Sequence, residues 1–131
     1  MSDDMYRNHV LDHVRHPRRF GSLASPTFSA SGVNAGCGDR LDVDVAVGEN
    51  GVIADVAFRG ASCAIATASA SLLAELLVGK SIDEALLLRL VDVERLLGTT
   101  VPPMRARCAS LLLSAVVRGI TLWKTDLSST T

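Results

Sequence analysis

LDVDVAVGENGVIADVAF, residues 41–58, is the stretch whose reading decides the fold. Leu41, Val43, Val45 and Val47 alternate with Asp42, Asp44 and Ala46, the period of a strand with one face toward a core and one toward water. Asn50-Gly51 is a hairpin signal, because both residues tolerate the backbone angles a tight reversal demands. The return strand then places Val52, Ala54, Val56 and Phe58 on one face and ends at Gly60, and two antiparallel strands follow.

Beyond the hairpin the period becomes helical. Ile65, Ala68, Leu72, Leu73, Leu76 and Leu77 form one stripe, with Gly79 where a helix C-terminus expects it. Ser81 and Glu84 make a capping box for a segment over residues 82–97, interrupted near Val91 and Asp92 and stopped by Gly98. Residues 99–103 read as extended, and a last helix is predicted over about 104–119. Upstream, Tyr6, Val10 and Val14 lie at helical intervals between N-terminal acids and C-terminal bases, matching the helix dipole, and Pro17 ends the run. Residues 18–36, with Gly21, Pro26, Gly32 and several serines, read as loop with room for an edge strand. The pattern predicts an α+β fold: a small antiparallel β-sheet of about three strands, covered on one face by four to six helices. The 131 residues read as a single domain, with 121–131 as a partly frayed polar tail.

Composition excludes several classes. A formal net charge of −1 gives no electrostatic grip on nucleic acid, and one Trp, one Tyr and three Phe leave little on which to stack bases. The longest apolar run, residues 108–117 broken by Ser110 and Ser114, is about half the roughly 20 residues of a bilayer span, so a membrane role is not expected. No apolar leader is visible near Met1, which makes a reducing cytoplasm the expected compartment.

Three cysteines, Cys37, Cys63 and Cys108, stand far apart at expected turns or helix starts. In a reducing compartment, thiols at such boundaries serve better as metal ligands or sulfur nucleophiles than as staples. Cys37 sits between Gly36 and Gly38, with Asp39 two residues on, a spacing suited to a mixed sulfur and oxygen site and equally to a plain turn. Cys63 opens the apolar helix, where unpaired backbone N–H groups favour a thiolate; a small buried hydrophobe is the alternative. Cys108 follows Arg105 and Arg107 in the first turns of the last helix, again with core packing as the alternative. Together, three such cysteines and one aspartate supply the four donors of a tetrahedral zinc or cluster site. No Cys-x-x-Cys pair of the zinc-ribbon kind is present.

Four ordered motifs carry a family resemblance. The opening Tyr6 with Asp12-His13-Val14-Arg15-His16-Pro17-Arg18, the loop 34–40, the segment 60–71 and Pro103-Met104-Arg105-Ala106-Arg107-Cys108-Ala109 together resemble the iron-sulfur cluster assembly scaffolds of the IscU, SufU and NifU N-terminal type. The resemblance covers nearly the whole chain. It implies a metal site of Cys37, Asp39, Cys63 and Cys108, with the three cysteines as candidate persulfide acceptors. It further implies a cysteine desulfurase as sulfur donor, a transient [2Fe-2S] cluster, and apo-protein acceptors of that cluster. The related SufU branch implies an alternative, a zinc-dependent sulfur acceptor that relays persulfide sulfur and carries Zn2+ in its resting state. A purely structural zinc domain ranks below both, since the apolar content suffices for a core without metal.

The departures point both ways between branches. Arg107 before Cys108 and the Ser69-Ala70-Ser71 run resemble SufU, whereas the short gap from Cys63 to Cys108 resembles IscU. Val101-Pro102-Pro103-Met104-Arg105 is similar to the Leu-Pro-Pro-Val-Lys motif through which the IscU branch docks an Hsp70-type chaperone, and is equally a plain helix start. His9 and His13 have the i, i+4 spacing of a metal pair but no thiol or acidic partner, so a solvated helix surface is expected. His16 marks a helix end. Arg15, Arg18 and Arg19 form a small basic cluster, a solvated face or a docking patch for the desulfurase. The apolar helix over residues 102–119 is compatible with full burial or with one face given to a partner, leaving oligomeric state open.

Overall fold

The computed structural model describes residues 3–129. Its sheet runs β1 (Phe28–Asn34), β2 (Asp39–Val47), β3 (Ile53–Ala61), all antiparallel with β2 central. The helices are α1 (Asp3–Arg15), α2 (Ala64–Leu77), α3 (Ile82–Leu86), α4 (Leu90–Leu97), α5 (Ala106–Ala109) and α6 (Leu111–Ser129), with a 3-10 turn Pro103–Arg105 ahead of α5.

The hairpin is present as the alternation requires, with Leu41, Val43 and Val45 fully buried. One part of the reading is corrected. Ala54 does not share the inward face, because the β2–β3 register slips between Ala46 and Val47 and makes Ala54 the extra residue of a bulge. Ile53 takes the inward position beside Val56 and Phe58, while Ala54 is exposed.

β1 is the edge strand for which the loop reading left room. Two of its inward positions, Ala30 and Gly32, are small, and α6 explains why. A Cβ on Gly32 would lie 3.0 Å from the Leu111 carbonyl oxygen, and one on Gly119 would lie 2.8 Å from the Phe28 ring and 3.0 Å from the Ala30 Cβ. The other sheet edge is partly covered by the segment before β1: Phe58 N–H donates to the Arg19 carbonyl and Gly21 N–H to the Phe58 carbonyl, and the Phe20 and Phe58 rings meet edge-on at 5.4 Å.

The face of the sheet away from the helices is polar. Asp44, though buried, accepts from Ser29 Oγ at 2.7 Å, Leu23 N–H at 3.1 Å and Arg59 at 3.0 Å. Burial alone would push its carboxyl up, and these hydrogen bonds outweigh it and hold the group below its ordinary 3.8.

The break expected near Val91 and Asp92 falls instead at residues 87–89, and Val91 and Asp92 lie inside α4. Helices depart from expectation in three further places. The predicted last helix is split, α5 ending at Ala109 and α6 starting at Leu111 after Ser110. α6 also runs on to Ser129 instead of fraying after Gly119, because Trp123 stacks on Phe28 at 5.7 Å and ties the late turns to β1. Thr130 and Thr131, assigned to the frayed tail, and the side chain of Tyr6 lie outside the described residues. Third, His13 is not on a solvated surface. It is 4% exposed, and its Nδ1 lies 2.7 Å from Ser71 Oγ on α2, an oxygen that also accepts from the Arg18 N–H at 2.8 Å. His9 is exposed, with its ring edge-on to His13. α1 stops at Arg15, one residue before His16.

Two outcomes follow from these contacts. Gly119→Val forces the Phe28 ring off its seat and is expected to destabilise the fold by about 2–3 kcal/mol in chemical denaturation. Burial, reinforced by the nearby Arg18 and His9 charges, holds His13 below its ordinary 6.5. The unfolded chain therefore takes up the proton first, and stability present above that value is lost as pH falls through it toward the folded value. His13→Gln should flatten this part of a stability-against-pH curve measured in urea.

Candidate metal and sulfur site

Cys37 lies in the reversal between β1 and β2. Asn34 pairs with Asp39 across the strands, Cys37 N–H donates to the Asn34 carbonyl at 3.2 Å, and Gly38 closes the turn at φ +71°, a conformation glycine adopts without strain. The plain turn and the chemical site are thus the same structure: the turn leaves Cys37 exposed and Asp39, the first residue of β2, 3% exposed.

Cys63 is the N-cap of α2 and makes no side-chain cap of its own. Its backbone N–H is taken instead by Asp39 Oδ1 at 2.9 Å, which joins the start of β2 to the start of α2. The approach needs Gly60, whose φ is +138° and whose Cβ would fall 2.1 Å from the Arg40 carbonyl oxygen. Cys108, on α5, is 1% exposed; its Sγ lies 3.7 Å from Cys37 Sγ and receives the Asn34 Nδ2 donor at 3.5 Å.

Ligand atoms of Cys37, Asp39 and Cys108 thus lie within 4.8 Å of one another. Cys63 is not in that mutually close trio and stands at its rim, its backbone N–H bound to Asp39 and its thiol beside that of Cys108. Asp39 Oδ2 is buried and receives no hydrogen bond, a costly state for a carboxylate that a cation beside the two sulfurs relieves. Two thiols, a free carboxylate oxygen and a third thiol at the rim are a donor set that fits zinc or iron.

The thiols themselves differ from expectation. Burial pushes the Cys63 thiol up, and the backbone N–H of Ala66 pulls it down by less, so the helix start does not favour the thiolate in the metal-free protein. Burial also pushes Cys108 up, with the neighbouring Cys37 adding to it, against the acidifying effect expected of Arg105 and Arg107. The four-residue α5 has almost no dipole to offer, and both arginines are exposed to water.

Other singled-out residues do not join this site. Arg18 pairs with Asp12 and Arg19 with Asp55, so two of the three basic-cluster charges are already engaged. Sequence reasoning assigned no role to Asn34, although it lies in the same loop motif and its amide steadies the Cys108 sulfur.

Residues 5–128 match the family described as NifU-like N terminal domain. The chain belongs to the NifU-like N-terminal domain family. It is 34% identical over 123 residues to the iron-sulfur cluster assembly enzyme IscU of Drosophila melanogaster, covering 92% of this chain and 79% of that one. It is 32% identical over 122 residues to the iron-sulfur cluster assembly scaffold protein IscU of Escherichia coli, covering 91% and 94%. The crystal structure of a NifU-like N-terminal protein from Brucella abortus superposes with a TM-score of 0.76 at 24% identity, over 94% of this chain and 96% of that one, a likeness of fold.

Asp39→Ala is expected to weaken Zn2+ or Co2+ binding by more than the about 10–100-fold that loss of an outer-shell partner costs, while thiolate-to-cobalt charge-transfer bands persist in the optical spectrum. Loss of the bands along with the affinity would place the carboxylate in folding rather than in coordination.

Proposed function

We propose that this protein is an iron-sulfur cluster assembly scaffold. It takes sulfur from a cysteine desulfurase, binds iron, builds a [2Fe-2S] cluster on Cys37, Asp39, Cys63 and Cys108, and passes it to apo-proteins. The observation that carries this reading is the convergence of Cys37 and Asp39 from the β1–β2 turn with Cys108 from α5 around an unsatisfied carboxylate oxygen. Membership of a family whose relatives are named as cluster assembly scaffolds supports it.

The asymmetry of the donors suits a carrier. A carboxylate is harder than a thiolate and holds an iron-sulfur unit less firmly, so Asp39 makes the site one that releases what it holds. The exposed Cys37 and the half-buried Cys63 open the cradle to incoming sulfur, while Cys108 anchors its floor. Three free thiols call for a reducing compartment, consistent with work in the cytoplasm. Among the described residues, no single helix is long and apolar enough to cross a membrane. The exposed Met104, 82% accessible beside Pro102 and Pro103, leaves segment 101–105 open to a chaperone of the Hsp70 type.

One observation favours a second reading. Because Cys63 stands outside the close trio, Cys37, Asp39 and Cys108 suffice to hold Zn2+ while Cys63 relays persulfide sulfur.

Anaerobic reconstitution of the apo-protein with iron, cysteine and a cysteine desulfurase, followed by absorbance and Mössbauer spectroscopy, separates the two. The scaffold reading predicts a [2Fe-2S] spectrum on the wild type, absent from Cys63→Ser, and transfer to an apo-ferredoxin. Tightly held zinc, no cluster, and a stimulation of the desulfurase that Cys63→Ser loses would assign the relay role instead.

A further inference from the structure

A pocket of about 430 Å³ opens directly beside the sulfur site. One wall is the end of β1 and its turn, residues 32–36; the other is Arg107, Ser110, Leu111, Ser114 and Arg118 from α5 and α6. None of the three cysteines lines it, but it adjoins their site on both sides. Asn34 lines the pocket while its amide contacts Cys108 Sγ, Gly36 precedes Cys37, and Arg107 precedes Cys108.

The lining has a definite charge. It contains two guanidiniums and no carboxylate. Arg107 makes no ion pair or hydrogen bond among the described residues, and Arg118 spends one nitrogen on the Ser31 carbonyl, leaving most of its donor fork free. Val33 and Leu111 supply apolar surface between these charges. Such a pocket has the size of a small-molecule site, and an anionic head with a short carbon skeleton satisfies it.

The geometry points to this pocket as the seat of a small thiol bearing a carboxylate, bound as its persulfide, with the carboxylate on Arg107 and the outer sulfur presented to Cys37. The inference rests on the sulfur-accepting role proposed above and extends it: a free low-molecular-weight carrier loads the site as well as an enzyme partner does. Cys37 is the receiving thiol because it alone of the three is exposed, Cys63 being half-buried and Cys108 buried. The Cys37 thiolate attacks the outer sulfur of R–S–SH. A new Cys37 S–S bond forms as the carrier's S–S bond breaks, and the carrier sulfur leaves with the bonding pair and takes up a proton. The exchange yields Cys37 persulfide and R–SH and needs no outside oxidant or reductant.

The test uses the full chain, metal-free and anaerobic, with the persulfides of 3-mercaptopropionate and of 2-mercaptoethanol as matched donors with and without the carboxylate. Loading of Cys37 is read by peptide mass spectrometry as the gain of one sulfur. The carboxylate donor is expected to load Cys37 about tenfold faster, the worth of one charge-assisted hydrogen bond, with a rate that saturates in donor and is competed by propionate. In Arg107→Gln, a substitution at an exposed, unpaired side chain, the two donors should load at nearly equal rates. Equal rates in the wild type, an undiminished preference in the variant, or a preference that propionate does not compete would each overturn the pocket assignment. Loading of the wild type by a cysteine desulfurase, run alongside, separates the failures: enzyme loading without donor preference sinks only the pocket, and no loading from any source sinks the sulfur-accepting role itself.

Discussion

The close seat of α6 on β1 is the constraint from which the rest of the architecture follows. Gly32 and Gly119 remove the side chains that would hold the two elements apart, and the Phe28–Trp123 stack secures the far end of the contact. Only Ser110 separates α5 from α6, so wherever α6 sits, Cys108 is carried with it. The same contact fixes β1, and β1 ends at the turn that carries Cys37. Two sulfurs from distant parts of the chain reach 3.7 Å separation because one helix lies unusually low on one edge strand. Packing, rather than any local motif, sets the distance between them.

Asp39 then connects that edge to the remaining thiol. One carboxylate oxygen takes the Cys63 N–H that α2 would otherwise leave unpaired, and the other faces the two sulfurs without a donor. A single side chain therefore braces the strand–helix junction and leaves a buried oxygen without a partner where a metal would sit. The cost of burying it is the physical argument for a cation there. Burial also explains why both the Cys63 and Cys108 thiols are pushed up: at Cys63 desolvation outweighs the Ala66 N–H, and at Cys108 it outweighs what exposed arginines and a short helix can return.

Much of this was legible in the residues. The 41–58 alternation fixed the central hairpin, the Ile65 to Leu77 stripe fixed α2, and Ser81 with Glu84 marked α3, whose capping box is present with both hydrogen bonds. The misreadings have particular causes. Ala54 fits an alternating pattern as well as Ile53 does, and only the cross-strand register reveals the bulge. The β1 alternation of Phe28, Ala30 and Gly32 is muted because Ala30 and Gly32, over which α6 lies close, must be small. The helical spacing of His13 does not tell it from His9; its burial depends on Ser71, 58 residues away.

What the sequence determined by itself was the set of elements and the set of reactive groups, since hydrophobic period, glycine and proline punctuation and cap residues act over a few neighbouring positions. It named Cys37, Asp39, Cys63 and Cys108 together. The tertiary structure alone decided which of them touch, which oxygen is left without a partner, that Cys63 stands at the rim, and that a cationic pocket adjoins the sulfurs. The reason is that these properties depend on how closely separate elements approach, and that distance is set by side-chain volumes meeting across the core rather than by any residue's immediate neighbours.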